Sequence, residues 1–205
     1  MMPPVGPWVV PIKKEAVMAS FAQRMIRAAK LDPAIYEEVE SDRGATGQAM
    51  AVVVLSSVAA GIGAYGMAGM RGVGSQAIAS DVIGVAIGAL VGWAVWAFIT
   101  MFIGTKLLPE PGTQSNWGEL LRTVGFSSSP GVLRILGVIG GLGMLVAALA
   151  SAWMLVAMVV AVRQALDYRS TWRALAVCLI GFALQWVVIF ATLAVIGVSL
   201  RSMFS

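Results

Sequence analysis

From Pro130 to Val162 the chain carries a single charge, Arg134. At about 1.5 Å per residue these roughly 33 residues make ~50 Å of helix, against a hydrocarbon core of roughly 30 Å. One straight crossing cannot use them all. Gly140, Gly141 and Gly143 lie together inside the run, where a helix breaks cheaply. The sequence therefore predicts the end of one membrane span, a tight turn near Gly140 and Gly141, and a complete second span.

Composition points the same way. Hydrophobic residues are 59% of the chain, charged residues 12%, and mean hydropathy is +0.88. A soluble domain of this size carries about 25% charged residues. The expected fold class is all-α, a polytopic transmembrane helical bundle. The net charge of +4 does not imply nucleic acid, because the basic residues lie between apolar runs, where they act as an orientation signal. The chain has no histidine and one cysteine, Cys178. That excludes intrachain disulfides, His/Cys metal sites and Ser-His or Cys-His nucleophile pairs. No enzyme and no cofactor is expected.

Taken in order, residues 1–46 read as an N-terminal segment on the cytoplasmic side. Met1 to Pro11, with four prolines and no basic n-region, is expected to be a disordered lead and not a signal peptide. Ile12 to Leu31 has helical period, with Val17, Phe21, Met25 and Ala28 or Ala29 on one face and Lys13, Lys14, Arg24, Arg27 and Lys30 elsewhere. Such a basic amphipathic helix lies either on anionic headgroups or on the protein's own cytoplasmic face. Asp32-Pro33 then opens a short acidic helix bearing Glu37, Glu38 and Glu40, read as a solvated face or a partner-docking one.

Five spans are expected within residues 47–200, at about 48–70, 82–103, 120–139, 142–162 and 174–198, followed by a tail at 201–205. In the first, Ala60, Ala64, Ala68, Gly61 and Gly69 suggest a close-packed face; in the second, Gly84, Gly88 and Gly92 form a doubled small-xxx-small register for helix packing. The third is interrupted at Ser127-Ser128-Ser129-Pro130. With five spans, eleven of the fourteen Lys and Arg residues fall on one side. The positive-inside bias then puts the N-terminus in the cytoplasm and the C-terminus outside, with the protein in the cytoplasmic (inner) membrane.

Three stretches carry a likeness to a known family: Asp32-Pro33-Ala-Ile-Tyr36-Glu37-Glu38-Val-Glu40-Ser-Asp42, then Leu120-Leu-Arg122-Thr-Val-Gly125-Phe followed by Pro130, and Val162-Arg163-Gln164-Ala-Leu-Asp167-Tyr168 before the last span. Together they resemble a bacterial Yip-family membrane domain, of the Rab-interacting-protein superfamily, over about residues 20 to 200. The resemblance implies a small five-helix membrane domain with a cytoplasmic N-terminus. Its eukaryotic members bind prenylated Rab GTPases in vesicle traffic; for bacterial members no function follows. The eukaryotic Asp-Leu-Tyr-Gly-Pro signature is absent, and Asp32, Pro33 and Tyr36 occupy its region without matching it.

Charge inside a span is costly, and a broken helix is tolerated only within protein or beside water. Arg122, Ser127, Ser128, Ser129, Pro130 and Arg134 combine both features and are candidates to hold an anionic lipid headgroup or phosphate. The alternative is that the two arginines snorkel to opposite interfaces while the serines cap a kink. Glu119, Asp81 and Asp167 are expected to partner Arg122, Arg71 and Arg163 or Arg169, and Gln48 and Gln185 to join helices. Asp32, Pro33, Tyr36, Glu37, Glu38, Arg163, Asp167 and Arg169 form the candidate partner-facing cytoplasmic surface.

Two functions follow. One is a membrane interaction, scaffolding or trafficking-type protein. The other is a small transporter or lipid-handling protein with the broken third span as its polar path. Membrane lipids are the expected partners, together with another membrane protein or a second copy of the chain.

Overall fold

A computed structural model of the chain describes residues 20–69, 82–139 and 142–204. The predicted lead, Lys13, Lys14 and Val17, the loop from Arg71 to Asp81 and the turn at Gly140 and Gly141 lie outside them. All regular structure among the described residues is helical. In chain order it comprises α1 (Phe21–Ala29), α2 (Pro33–Ser41), α3 (Ala45–Gly69), α4 (Val82–Phe102) with a π turn (Ile103–Leu107), α5 (Trp117–Ser127), a 3-10 segment (Ser129–Val138), α6 (Gly143–Ala165) and α7 (Thr171–Phe204).

Among the described residues, four helical stretches are long and apolar enough to cross a membrane: Ala45–Gly66, Gly84–Leu107, Gly143–Ala165 and Thr171–Val188. Their outer faces expose Val85, Ile87, Val91, Leu145, Leu149, Leu179 and Val187. Apolar side chains turned outward on that scale suit lipid tails, not water. This is an integral, multi-pass membrane protein.

The stretch predicted as the third span is two pieces, the 11 residues of α5 and the 10 residues of the 3-10 segment, joined at Ser128. Together they rise ~35 Å. They run beside α3 in the same direction, Gly125 lying against Ala49 and Val138 against Gly66. Glycine permits this approach: a Cβ on Gly125 would stand 2.7 Å from the Ala49 Cβ, and one on Gly66 only 2.6 Å from the Val138 Cα. Gly63 and Gly137 are likewise backed onto each other.

These are not the small residues that spacing singled out. Gly84 and Gly88 are exposed, and a Cβ on Gly88 or Gly92 would meet nothing within 4 Å. In α3 the buried line is Ala49, Val52, Val53, Ser56, Ala59 and Gly63, whereas Gly61 has open space and Ala64 is exposed. Small residues surround these helices, so their spacing does not say which stripe meets a neighbour.

One end of the bundle holds α1, α2, the loop after the π turn and the turn between α6 and α7. There Tyr168 donates to Gly104 O at 2.9 Å and Leu108 O at 2.7 Å. Arg173 pairs with Glu110 at 3.3 Å, and Glu110 also accepts from the Arg169 backbone N–H at 2.8 Å. The two connections are thus tied together.

Candidate functional site

The first candidate region is the cap formed by α1 and α2. Ser20 and Gln23 form a capping box that starts α1, and Asp32, with Pro33 after it, starts α2 by accepting from the Ala34 N–H. The face of α1 that meets the protein carries Ala28 and, unexpectedly, Arg24, whose side chain is 1% exposed. Its guanidinium reaches Glu38 at 3.0 Å, Asp42 at 2.9 Å and Gln48 at 3.1 Å. Arg27 bridges Asp32 and Glu38, both at 2.8 Å, and holds the Asp32 carboxyl below its ordinary pKa. Of the two readings of the amphipathic helix, α1 takes the one on the protein's own surface, because these carboxylates satisfy a cation that would otherwise be stranded by burial.

A second buried cation fastens α2. Arg122, 7% exposed, donates from Nε to Val39 O at 2.9 Å and Glu40 O at 3.1 Å, and its Nη2 also reaches Glu40 O. These are last-turn carbonyls of α2, which lack partners within the helix and carry its partial negative charge. Glu119 is therefore not the partner of Arg122. It closes a reciprocal cap with Asn116 at 2.9 and 3.1 Å. Nor does Asp167 hold Arg163, which donates to Tyr168 O at 3.3 Å.

Of the predicted partner-facing residues, Tyr36 is fully buried, its hydroxyl donating to Ala28 O at 3.1 Å. Asp32 and Glu38 are committed to the ion pairs. Pro33, Glu37, Asp167 and Arg169 remain exposed, and Gln164 of α6 donates to Glu37 at 2.8 Å, which joins α2 to the end of α6. Beside them Glu40 opens, with Ser41, Arg43, Thr46, Asn116, Glu119 and Arg122, on a cleft of about 550 Å³. Burial, and then repulsion from Glu119, Asp167 and Glu37 against the attraction of Arg122, lifts the Glu40 pKa to about 7.

The second region is a cavity of about 270 Å³ between the spans, lined from α3 by Ser56 and Ser57, from α4 by Trp93 and Trp96, and from the interrupted segment by Ser128 and Arg134. Met154 and Met158 of α6 and Gln185 of α7 complete it. Arg134 donates from Nη2 to Ser151 at 2.9 Å. Trp96 Nε1 and Gln185 Oε1 are buried without hydrogen-bond partners among the described residues.

The six residues predicted as one headgroup site are thus divided. Arg122 is structural at the cap. Ser127 and Ser129 donate to Val124 O and Phe126 O, both at 2.7 Å, and Pro130 is buried at the start of the 3-10 segment. Only Ser128 and Arg134 reach the cavity. The sequence did not single out Ser56 or Ser57, it read Trp96 as one of an interfacial aromatic group although the fold buries it, and it read Gln185 as helix glue; nothing in their spacing links three separate spans.

A family model described as the Yip1 domain matches residues 31–198. The chain belongs to the Yip1-domain family. Searches of the curated proteins and of the solved structures found no match. The Yip1 match begins after α1, so the Arg24 and Arg27 ion pairs join this chain's N-terminal helix to its Yip1 domain. The intramembrane cavity lies wholly within the matched residues.

Proposed function

We propose that this Yip1-domain protein is a non-enzymatic membrane adaptor that docks a protein partner at its cytoplasmic cap. The observation that carries the reading is that two buried arginines, Arg24 and Arg122, lock α1 and α2 onto the bundle while Glu37, Asp167 and Arg169 stay exposed on one surface. A surface held that firmly offers a partner preorganised charge at little ordering cost. Glu40, crowded by three other carboxylates, gives the surface a preference for a basic segment.

The orientation rests on the basic residues gathered at the cap end. The crossing count rests on connectivity: the π turn closes α4 at the cap end, whereas Val138 lies beside Gly66 at the far end of α3. The interrupted segment then makes a fifth crossing, in the cytoplasmic membrane.

A photo-crosslinking residue at Arg169, in the full chain in its native membrane, tests the reading. A discrete protein adduct is expected, lost when Glu37→Lys and Asp167→Lys are combined at unchanged melting temperature. Lipid adducts alone, or an adduct indifferent to charge reversal, would overturn it.

A further inference from the structure

We propose that the intramembrane cavity is a binding site for a phosphate oxyanion, with Arg134 as its cationic anchor and Trp96 as a neutral donor. The site is independent of the partner surface on the cap. Its depth is fixed by the helices around it: Ser56 lies halfway along the Ala45–Gly66 span, Trp96 halfway along Gly84–Leu107, and Met154 halfway along Gly143–Ala165. Arg134 itself is half-buried; its backbone stands beside Gly63, near the far end of the Ala45–Gly66 span, and its guanidinium reaches back to Ser151.

Three features decide the chemistry. Among the described residues no carboxylate pairs with Arg134, whose one hydrogen bond goes to the neutral Ser151. Among those residues the charge is uncompensated, which favours an anionic ligand over a cationic one. Trp96 is 6% exposed, and its indole N–H, with no partner, belongs to a residue of the cavity wall. A buried donor left idle is a cost that an acceptor in the cavity would remove. Gln185, also unsatisfied, offers either end of its amide after a 180° rotation.

A guanidinium fork, an indole N–H and an amide, on three separate segments that line one cavity, suit a group with several acceptor oxygens in three dimensions. Phosphate fits that arrangement; a planar carboxylate would be satisfied by the guanidinium alone. Ser56, Ser57 and Ser128 add hydroxyls to the wall, and Val53, Ala89, Val124 and the two methionines give its apolar part. The phosphate comes either on a lipid or as the free ion.

The full chain in a nonionic detergent free of phosphate would be titrated with inorganic phosphate, with phosphatidylglycerol and with diacylglycerol. Native mass spectrometry and thermal shift would be read together. One bound phosphatidylglycerol or phosphate is expected, weakened at least about ten-fold by Arg134→Gln and by Trp96→Phe. Response to both ligands identifies the phosphate itself as what is recognised, and response to phosphatidylglycerol alone identifies a lipid headgroup. Binding unchanged in both variants, diacylglycerol binding as tightly as phosphatidylglycerol, or no binding at all (a cavity filled by water) would overturn the proposal. Should Arg134→Gln fail to fold, Trp96→Phe decides alone, because it removes the N–H and keeps a ring against Phe182, now 5.5 Å away.

Discussion

Two arginines three residues apart on α1 do different jobs. Arg24 is 1% exposed among partners that are 28% and 22% exposed, whereas Arg27 and Asp32 are each 35% exposed. Removing one member of a buried pair leaves charge stranded, a loss of roughly 3 kcal/mol that partial exposure of the carboxylates reduces. Arg24→Met should therefore lower the melting temperature and speed amide exchange through α1 and α2. Arg27→Met should cost no more than ~1 kcal/mol, the range of exposed pairs. Glu40 sets a pH dependence. Its pKa is raised from 4.5 in the unfolded chain to about 7 in the fold, so the folded state holds the proton more tightly. Stability from this group is complete below the unfolded value and is lost as pH rises through the folded one. Melting temperatures between pH 4.5 and 7 should fall with rising pH, and Glu40→Gln should flatten the slope; an unchanged slope would remove Glu40 as its source.

At the scale of the element, the interrupted segment depends on glycine opposite glycine. Gly137 and Gly63 face each other so closely that a Cβ on Gly137 would stand 3.0 Å from the Gly63 Cα. Gly137→Val should destabilise the bundle by about 1–3 kcal/mol through overpacking. Gly88→Ala, with nothing within 4 Å of the new carbon, should be neutral or gain up to about 1 kcal/mol from helix propensity. Thermal unfolding of the pair decides which glycines pack within the monomer. The interruption itself was legible, because Ser127-Ser128-Ser129-Pro130 breaks the apolar run. The packing stripe was not: Gly84, Gly88 and Gly92 advertise a contact by spacing that the fold gives to Gly63, Gly66, Gly125 and Gly137.

For the whole molecule, the arrangement predicts which side each connection faces. Cysteines introduced at Glu37 and Asp167, with Cys178→Ala as background, should resist an impermeant maleimide in intact cells and react in inverted vesicles. One at Met144, at the other end of α6, should do the reverse; labelling of all three from the same side would sink the topology. The sequence by itself determined the class, since apolar runs longer than a bilayer is thick, with charge confined between them, have no other stable form. It also marked where helices begin and break, because caps, prolines and glycines act over a few residues. Only the tertiary structure decided which polar groups meet. Arg24 finds Glu38 and Asp42, Arg122 finds the carbonyls ending α2, and Arg134 finds Ser151 beside a cavity that Trp96 and Gln185 also line. Such meetings depend on which elements stack together, and in the long spans, apolar on every side, also on a rotation about the helix axis that no sequence period fixes.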